Sequence, residues 1–206
     1  NDNYRWVRWM GRLIRGRLGT PQAFLGKISD VQDEMTREQD LREKASVDGL
    51  TGALNRKAAE QKINTLMQDK ECKGYLLMLD IDDFKTVNDT MGHAIGDLAL
   101  ITLVKLLKEH FRREDIIGRL GGDEFIVFMT NTELASAVEA KGAEILDILA
   151  KSETTPHLTV SIGAAAYPAA GNDYESLYLA ADNAMYASKK SGKNRIYVDN
   201  GQQKKE

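Results

Sequence analysis

The spacing of apolar and polar positions changes along the chain, and each change marks an element. Tyr75-Leu-Leu-Met-Leu79 is an unbroken apolar run of strand length that ends on Asp80. Ala94–His110 instead places Leu100, Leu103, Val104 and Leu107 at helical intervals. Further helices are predicted over Lys57–Gln68, from about Thr132 to Ala150, and over Tyr174–Lys190. Leu158–Gly163 and Arg195–Val198 read as strands. Between them, Ile116-Ile-Gly118 and Phe125-Ile-Val-Phe128 flank a glycine-rich turn, the pattern of a hairpin. Strands interleaved with helices around a hairpin predict an α+β domain, a central mixed or antiparallel sheet flanked by helices. The tail beyond residue 198 is polar and expected to be disordered.

Residues 1–30 follow another pattern. Tyr4-Arg-Trp-Val-Arg-Trp-Met10 and Phe24-Leu-Gly-Lys-Ile28 predict two strands joined by Arg17-Leu-Gly-Thr-Pro21. Two strands cannot bury both faces, so this is the end of something larger rather than a domain. It resembles the last hairpin of a PAS sensor domain, with Ser29-Asp30-Val31 where that hairpin's closing signature stands. Arg5, Arg8, Arg12, Arg15 and Arg17 read as a solvated strand face rather than a phosphate-binding patch. Gln32–Ser46, dense in charge and free of Gly and Pro, predicts a helix; with Val31 just before it, Met35, Leu41 and Ala45 give it a thin apolar stripe. Such a stripe suits pairing with a second copy, so residues 31–47 are taken as a signal-bearing linker.

Composition narrows the classes. The 206 residues suit one domain with an appendage, and the net charge of −3 argues against general nucleic-acid binding. Cys72 is the only cysteine, which removes an internal disulfide or thiolate metal cluster and fits a reducing compartment. No apolar run approaches membrane-spanning length and no signal peptide opens the sequence, so a cytoplasmic fragment without membrane contact is expected, its parent free to be membrane-associated.

The candidate chemistry lies where strands end. A hairpin that only had to turn needs no acids, yet Gly121-Gly122-Asp123-Glu124 sets bare backbone beside two carboxylates. Alone, it reads as a solvated turn, and a lone Asp80 as a solvated strand end. A hairpin lying beside the 75–79 strand would let Asp80 and Asp123 share one hard cation, of the kind completed by substrate phosphates and water. A pair of such ions can activate a ribose hydroxyl and neutralise leaving pyrophosphate. Glycines at 121 and 122 let backbone approach a triphosphate closely.

Several independent motifs then agree. Arg119-x-Gly121-Gly122-Asp123-Glu124-Phe125 resembles the signature of GGDEF-domain diguanylate cyclases, which join two GTP into cyclic di-GMP. Asp48-Gly-Leu-Thr-Gly52-x-x-Asn55-Arg56 resembles the motif with which that domain begins. Asp80-Ile-Asp-x-Phe84-Lys85-x-x-Asn88-Asp89-x-x-Gly92-His93-x-x-Gly96-Asp97 matches its longest motif. Thr159-x-Ser161-Ile162-Gly163 and Ala181-Asp182-x-Ala184-Met185-Tyr186-x-x-Lys189-x-x-Gly192-Lys193-Asn194 match the last two. The resemblance spans roughly 48–198 and implies a nucleotidyl-cyclase or palm-like, ferredoxin-like fold behind an N-terminal linker helix.

It also implies roles. Asp80, the Ile81 carbonyl and Asp123 are implied ligands of Mg²⁺ or Mn²⁺, two ions per site, with Glu124 supporting them. Asp123, which is Glu in many members, is the implied base for the ribose 3′-hydroxyl. Asn88 and Asp97 are the implied guanine readers, with His93 and Phe84 nearby. A carboxylate at 97 accepts from guanine N1–H and N2–H₂, whereas adenine offers an acceptor at N1. Read without the resemblance, Asn88 is a capping or turn residue and His93 a structural hydrogen-bonder. Lys85, Lys189 and Lys193 are implied phosphate contacts, Lys85 also stabilising transition-state charge. Lys193 stands where members often carry Arg and lacks the bidentate fork. Arg112-Arg-Glu-Asp115 matches the family's Arg-x-x-Asp inhibitory site for the product; as a bare pattern it is a solvated ion pair. The chemistry implies a homodimer of GTP-loaded domains. The alternative is an inactive GGDEF module that binds GTP or cyclic di-GMP; a purely dimerising module explains the acids least.

Overall fold

A computed structural model describes residues 5–15, 19–36, 46–152 and 157–201. The chain divides into two compact units, Asn1–Ala45 and Ser46–Glu206.

In the first unit, strands β1 (Val7–Arg15) and β2 (Pro21–Asp30) pair antiparallel, with Gly11 opposite Gly26. The Trp9 and Phe24 rings stack 5.3 Å apart over this pair, where a Cβ on Gly11 would strike both. Strand β1 begins at Val7, inside the predicted Tyr4–Met10 stretch, and runs past Met10 because cross-strand pairing carries it through Gly11 and Arg12, while β2 extends beyond Phe24–Ile28 at both ends. Nearly every strand residue is exposed. Arg5 pairs with Asp30 at 3.1 Å and Arg8 with Glu34 at 3.0 Å. These arginines thus answer local acids, at a gain of under ~1 kcal/mol each at such exposure. Residues 32–36 are helical, while 37–45 of the predicted linker helix, and Arg17 in the turn, lie outside the described residues.

The second unit is built on a six-stranded sheet of order β3-β5-β6-β4-β7-β8. The strands are β3 (Leu54–Asn55), β4 (Gly74–Ile81), β5 (Ile116–Gly121), β6 (Glu124–Thr130), β7 (Val160–Tyr167) and β8 (Arg195–Asp199). The outer pairs β3/β5 and β7/β8 are parallel and the inner pairs antiparallel, the mixed pairing that the sequence predicts. All eight residues of β4 are buried, as an unbroken apolar run requires of a central strand covered on both faces.

The helices divide between those faces. Odd residues of β4 (Leu77, Leu79, Ile81) pack with Leu100, Leu103 and Leu107 of α3 (His93–His110) and Val138 and Ile145 of α4 (Ala135–Lys151). Even residues Leu76 and Met78 pack with Ala59 and Ile63 of α1 (Arg56–Leu66) and Leu177, Ala181 and Met185 of α5 (Tyr174–Lys190). Asn55 accepts the Ala58 amide to start α1, and Asp173 with Ser176 forms a capping box on α5. Helix α5 crosses β7 at Gly163, where a Cβ would strike the backbone of Ala181 and Met185. A short helix α2 (Phe84–Met91), not anticipated as a separate element, precedes α3 across Gly92. Among the described residues no helix is long and apolar enough to cross a membrane.

Candidate active site

The acids collect where the even face of β4 runs out of apolar residues. Asp80 extends the row of Leu76 and Met78 and lies opposite Glu124 on β6. Cross-strand neighbours sit about 5 Å apart at Cβ, so the two carboxylates share one face. The turn is Gly122-Asp123 between paired Gly121 and Glu124, with φ of +145° at Gly121 and +54° at Gly122, a backbone path that favours glycine. The Ile81 amide donates to the Asp123 carbonyl at 3.4 Å, which draws the end of β4 to this turn.

Cations answer the acids from the end of α5. Lys189 Nζ lies 2.7 Å from Asp80 Oδ2, and Lys193 Nζ lies 2.7 Å from Asp83 Oδ1. Burial pushes the Asp80 carboxyl above the usual carboxylate range; Lys189 opposes the shift, and Asp123 and Glu124 add to it. Asp83 beside Lys193 raises that ammonium's pKa, with Asp82 and Asp80 adding at longer range.

The donor types suit a hard cation, which takes oxygen ligands from one or two carboxylates and completes its shell with phosphate oxygens and water. Among the described residues no group of three or more His, Cys, Asp or Glu side chains is placed to hold a metal ion. Asp80 faces Glu124 across the β4–β6 pair, the Ile81 amide meets the Asp123 carbonyl, and the Asp80 carboxyl feels the charge of both neighbouring acids.

The remaining predicted residues fall into separate groups. Asn88 on α2 is half-buried and lies against Gly96 on α3, where any Cβ would strike the Asn88 side-chain oxygen. Gly96 thereby lets Asn88 and neighbouring Asp97 share one helical corner. Phe84 anchors that corner on the core, and Lys85, His93 and Asp97 are exposed. At the other end of β5, Asp115 accepts the Arg112 amide at 2.9 Å and the Thr130 amide at 3.0 Å. Its carboxylate therefore ties the start of β5 to the end of β6, a structural role the Arg-x-x-Asp pattern does not reveal, while Arg112 is exposed.

Two further groups support the turn and the lysines. Arg119 donates to the Gly122 carbonyl through Nε at 3.0 Å and Nη2 at 2.7 Å. Its Nη1 reaches Asp48 Oδ1 at 2.9 Å, which also accepts the Thr51 amide and hydroxyl. Burial opposes ionisation of Asp48, but the bonds from Thr51 and Arg119 outweigh it and hold the carboxyl below the usual range. Asp82, buried just beyond β4, accepts from Thr159, Ser161 and the Asn194 amide. The sequence marks Asp48, Asp82 and Arg119 only as motif letters, since their partners are remote along the chain.

A family model described as "Diguanylate cyclase, GGDEF domain" matches residues 45–195. The probable diguanylate cyclase DgcC of Escherichia coli (strain K12) is 38% identical over 160 residues, 73% of this chain and 42% of that protein. Diguanylate cyclase A of Treponema denticola is 37% identical over 139 residues, 65% of this chain and 37% of that protein. The chain thus spans less than half the length of these curated relatives. Among solved structures, the coiled coil and GGDEF domain of DgcB from Caulobacter crescentus, in complex with c-di-GMP, superposes with a TM-score of 0.72 at 30% identity. That match covers 82% of this chain and 93% of the other.

Proposed function

This chain belongs to the GGDEF-domain family of diguanylate cyclases, and from that membership we propose that it condenses two GTP into cyclic di-GMP and two pyrophosphates across a homodimer. The observation that carries the reading is the meeting of Asp80, Asp123 and Glu124 with Lys189 at one end of the sheet.

In this reading Asn88 and Asp97 hold the guanine edge at the α2–α3 corner, while Gly121 and Gly122 admit the triphosphate. Lys189 and Lys193 leave their carboxylate partners to meet phosphate oxygens, and Lys85 stabilises charge on the transferring group. The 3′-oxygen of one nucleotide bonds to the α-phosphorus of the other and the α–β phosphoanhydride breaks, releasing pyrophosphate. The hydroxyl proton passes to the Asp123 carboxylate. Repeating the step with the roles exchanged closes the ring. Mg²⁺ or Mn²⁺ held by Asp80, Asp123 and the Ile81 carbonyl, with Glu124 supporting, would supply Lewis-acid polarisation of the phosphates and hydroxyl.

The thin-striped linker would align two copies, a reading supported by the coiled coil in the structure of the similar DgcB. The β1–β2 hairpin would be the end of a PAS-like sensor, and Arg112 with Asp115 a product-binding site that restrains turnover.

The test is incubation with GTP and Mg²⁺ or Mn²⁺ at high protein concentration, with products identified by mass. Cyclic di-GMP and pyrophosphate are expected, and Asp123→Ala should abolish both while keeping the parent's circular dichroism. GTP left intact even by a forced dimer would overturn the reading in favour of a binding module. Full turnover by Asp123→Ala would overturn the role given to that acid.

A further inference from the structure

Asp82 stands two residues beyond Asp80, yet it is spent differently. It is 8% exposed, and its carboxylate is filled by protein donors: Ser161 Oγ on Oδ1 at 2.6 Å, Thr159 Oγ1 on Oδ2 at 2.8 Å and the Asn194 amide on Oδ2 at 3.1 Å. Its own amide donates to the Thr159 carbonyl at 2.9 Å, so backbone and side chain both tie it to the start of β7.

The Asn194 bond reaches an unusual loop. Gly192, Lys193 and Asn194, which join α5 to β8, have φ of +109°, +60° and +47° in succession. Two of the three are side-chain-bearing residues, for which that region is disfavoured, so the loop needs external bonds to keep its path. Asp82 supplies one to Asn194, and the Ser188 carbonyl accepts the Lys193 amide at 3.2 Å. Buried Ser188 also donates to the Arg195 carbonyl at 2.8 Å, and Arg195 Nε donates to the Lys193 carbonyl at 3.0 Å. Lys193, held on both sides, reaches Asp83 at the rim of the acid cluster.

The geometry points to Asp82 as a positioning residue: a buried carboxylate that locks the Gly192-Lys193-Asn194 loop and so presents Lys193 to the substrate's phosphates. This rests on the diguanylate cyclase reading. A third metal-ligating acid is the competing role for Asp82, and its three protein donors argue against it, since a ligand carboxylate must turn lone pairs to the ion.

The experiment compares the full chain with Asp82→Asn, Lys193→Met and the double variant, in GTP turnover and in amide hydrogen exchange by NMR. An amide at 82 accepts through one oxygen and without the carboxylate's charge, which should weaken the bond to the Asn194 amide. Asp82→Asn is expected to raise KM for GTP about ten-fold with a smaller change in kcat, in line with losses on removing supporting hydrogen bonds at a site. Because both changes act through one lysine, the double variant should match Lys193→Met within about two-fold. The Asn194 amide should exchange at least about ten-fold faster in Asp82→Asn than in the parent. Multiplying KM effects, unchanged exchange at Asn194, or a higher Mg²⁺ requirement in Asp82→Asn would each overturn the assignment. If the parent itself turns over no GTP, that failure falls on the cyclase reading alone, and exchange at Asn194 still decides whether the clamp exists. Should Asp82→Asn fail to fold, Thr159→Val strips one donor from the same oxygen and keeps the charge. It should move KM and exchange in the same directions by about three-fold; no movement in either would overturn the assignment.

Discussion

Replacing Arg119 with Ala should damage fold and catalysis together. The side chains of Arg119 and Asp48 are 12% and 25% exposed, and the guanidinium makes three hydrogen bonds, one to Asp48 and two to the Gly122 carbonyl. Removing one partner of a fully buried pair costs about 3–5 kcal/mol. Asp48 keeps both donors from Thr51 and some contact with water, so a loss just below that range, about 2–3 kcal/mol, is expected for Arg119→Ala. For a domain of this size that is roughly 5–10 °C in Tm. Urea denaturation followed by fluorescence gives the free energy, and GTP turnover below the transition gives the catalytic part. Asp48→Asn is the discriminating control. It leaves both Gly122 bonds in place, so it should lose about 1 kcal/mol of stability and little turnover, whereas Arg119→Ala should lose turnover by ten-fold or more even when folded. The combined variant should show coupling of about 1–2 kcal/mol. A stability change under about 0.5 kcal/mol for Arg119→Ala, or equal catalytic loss in both single variants, would refute the claim that this arginine fixes the turn.

The same pair makes a pH prediction. The Asp48 carboxyl is held below its ordinary value, so its contribution is complete above the unfolded value of about 3.9 and disappears as pH falls through the lower folded value. The stability gap between the parent and Asp48→Asn should therefore be constant from pH 5 to 8 and close toward pH 3; a gap that widens on acidification contradicts this. Gly163→Ala would drive a methyl into the backbone of α5, and a loss of about 3 kcal/mol or insoluble expression is expected, read by urea midpoint. Arg112→Ala should weaken cyclic di-GMP binding at least about ten-fold by calorimetry while Tm stays within about 2 °C, because the Asp115 bonds to Thr130 do not need the guanidinium; binding as tight as the parent's would remove the inhibitory-site proposal.

Legibility in the sequence followed the range of the interactions. Strand β4 and helix α5 stood out because burial on both faces, or on one helical stripe, writes a local pattern. Strand β7 runs on through Ala164-Ala-Ala166, small residues with no strand signature; they are strand because β4 pairs with all three and β8 with Ala164 and Ala165. Strand β3 is two residues long and exists through pairing with β5, and α2 spans barely two turns between Asp83 and Gly92. At the site, the acids and glycines of the hairpin were legible because their chemistry clashes with a plain turn. The bonds that hold them were not. Arg119 meets Asp48 across 71 residues and Asp82 meets Asn194 across 112, and no spacing rule reaches so far. Asp115 shows the converse, where a recognisable pattern concealed an anchoring role.

The position of β8 adds a consequence for how this protein would fail under heat. It is an edge strand, hydrogen-bonded to β7 alone, and it begins at the residue after the Lys193 loop. Opening that border breaks the bonds to β7 and lifts Ile196 and Val198 from the core, whereas opening β4 dismantles both apolar layers, so the border opens at the smaller free energy. Warming would then withdraw Lys193, the proposed phosphate contact, while the centre of the sheet stays closed. Inactivation should begin below the melting temperature and reverse on cooling, making β8 a thermal fuse for the site.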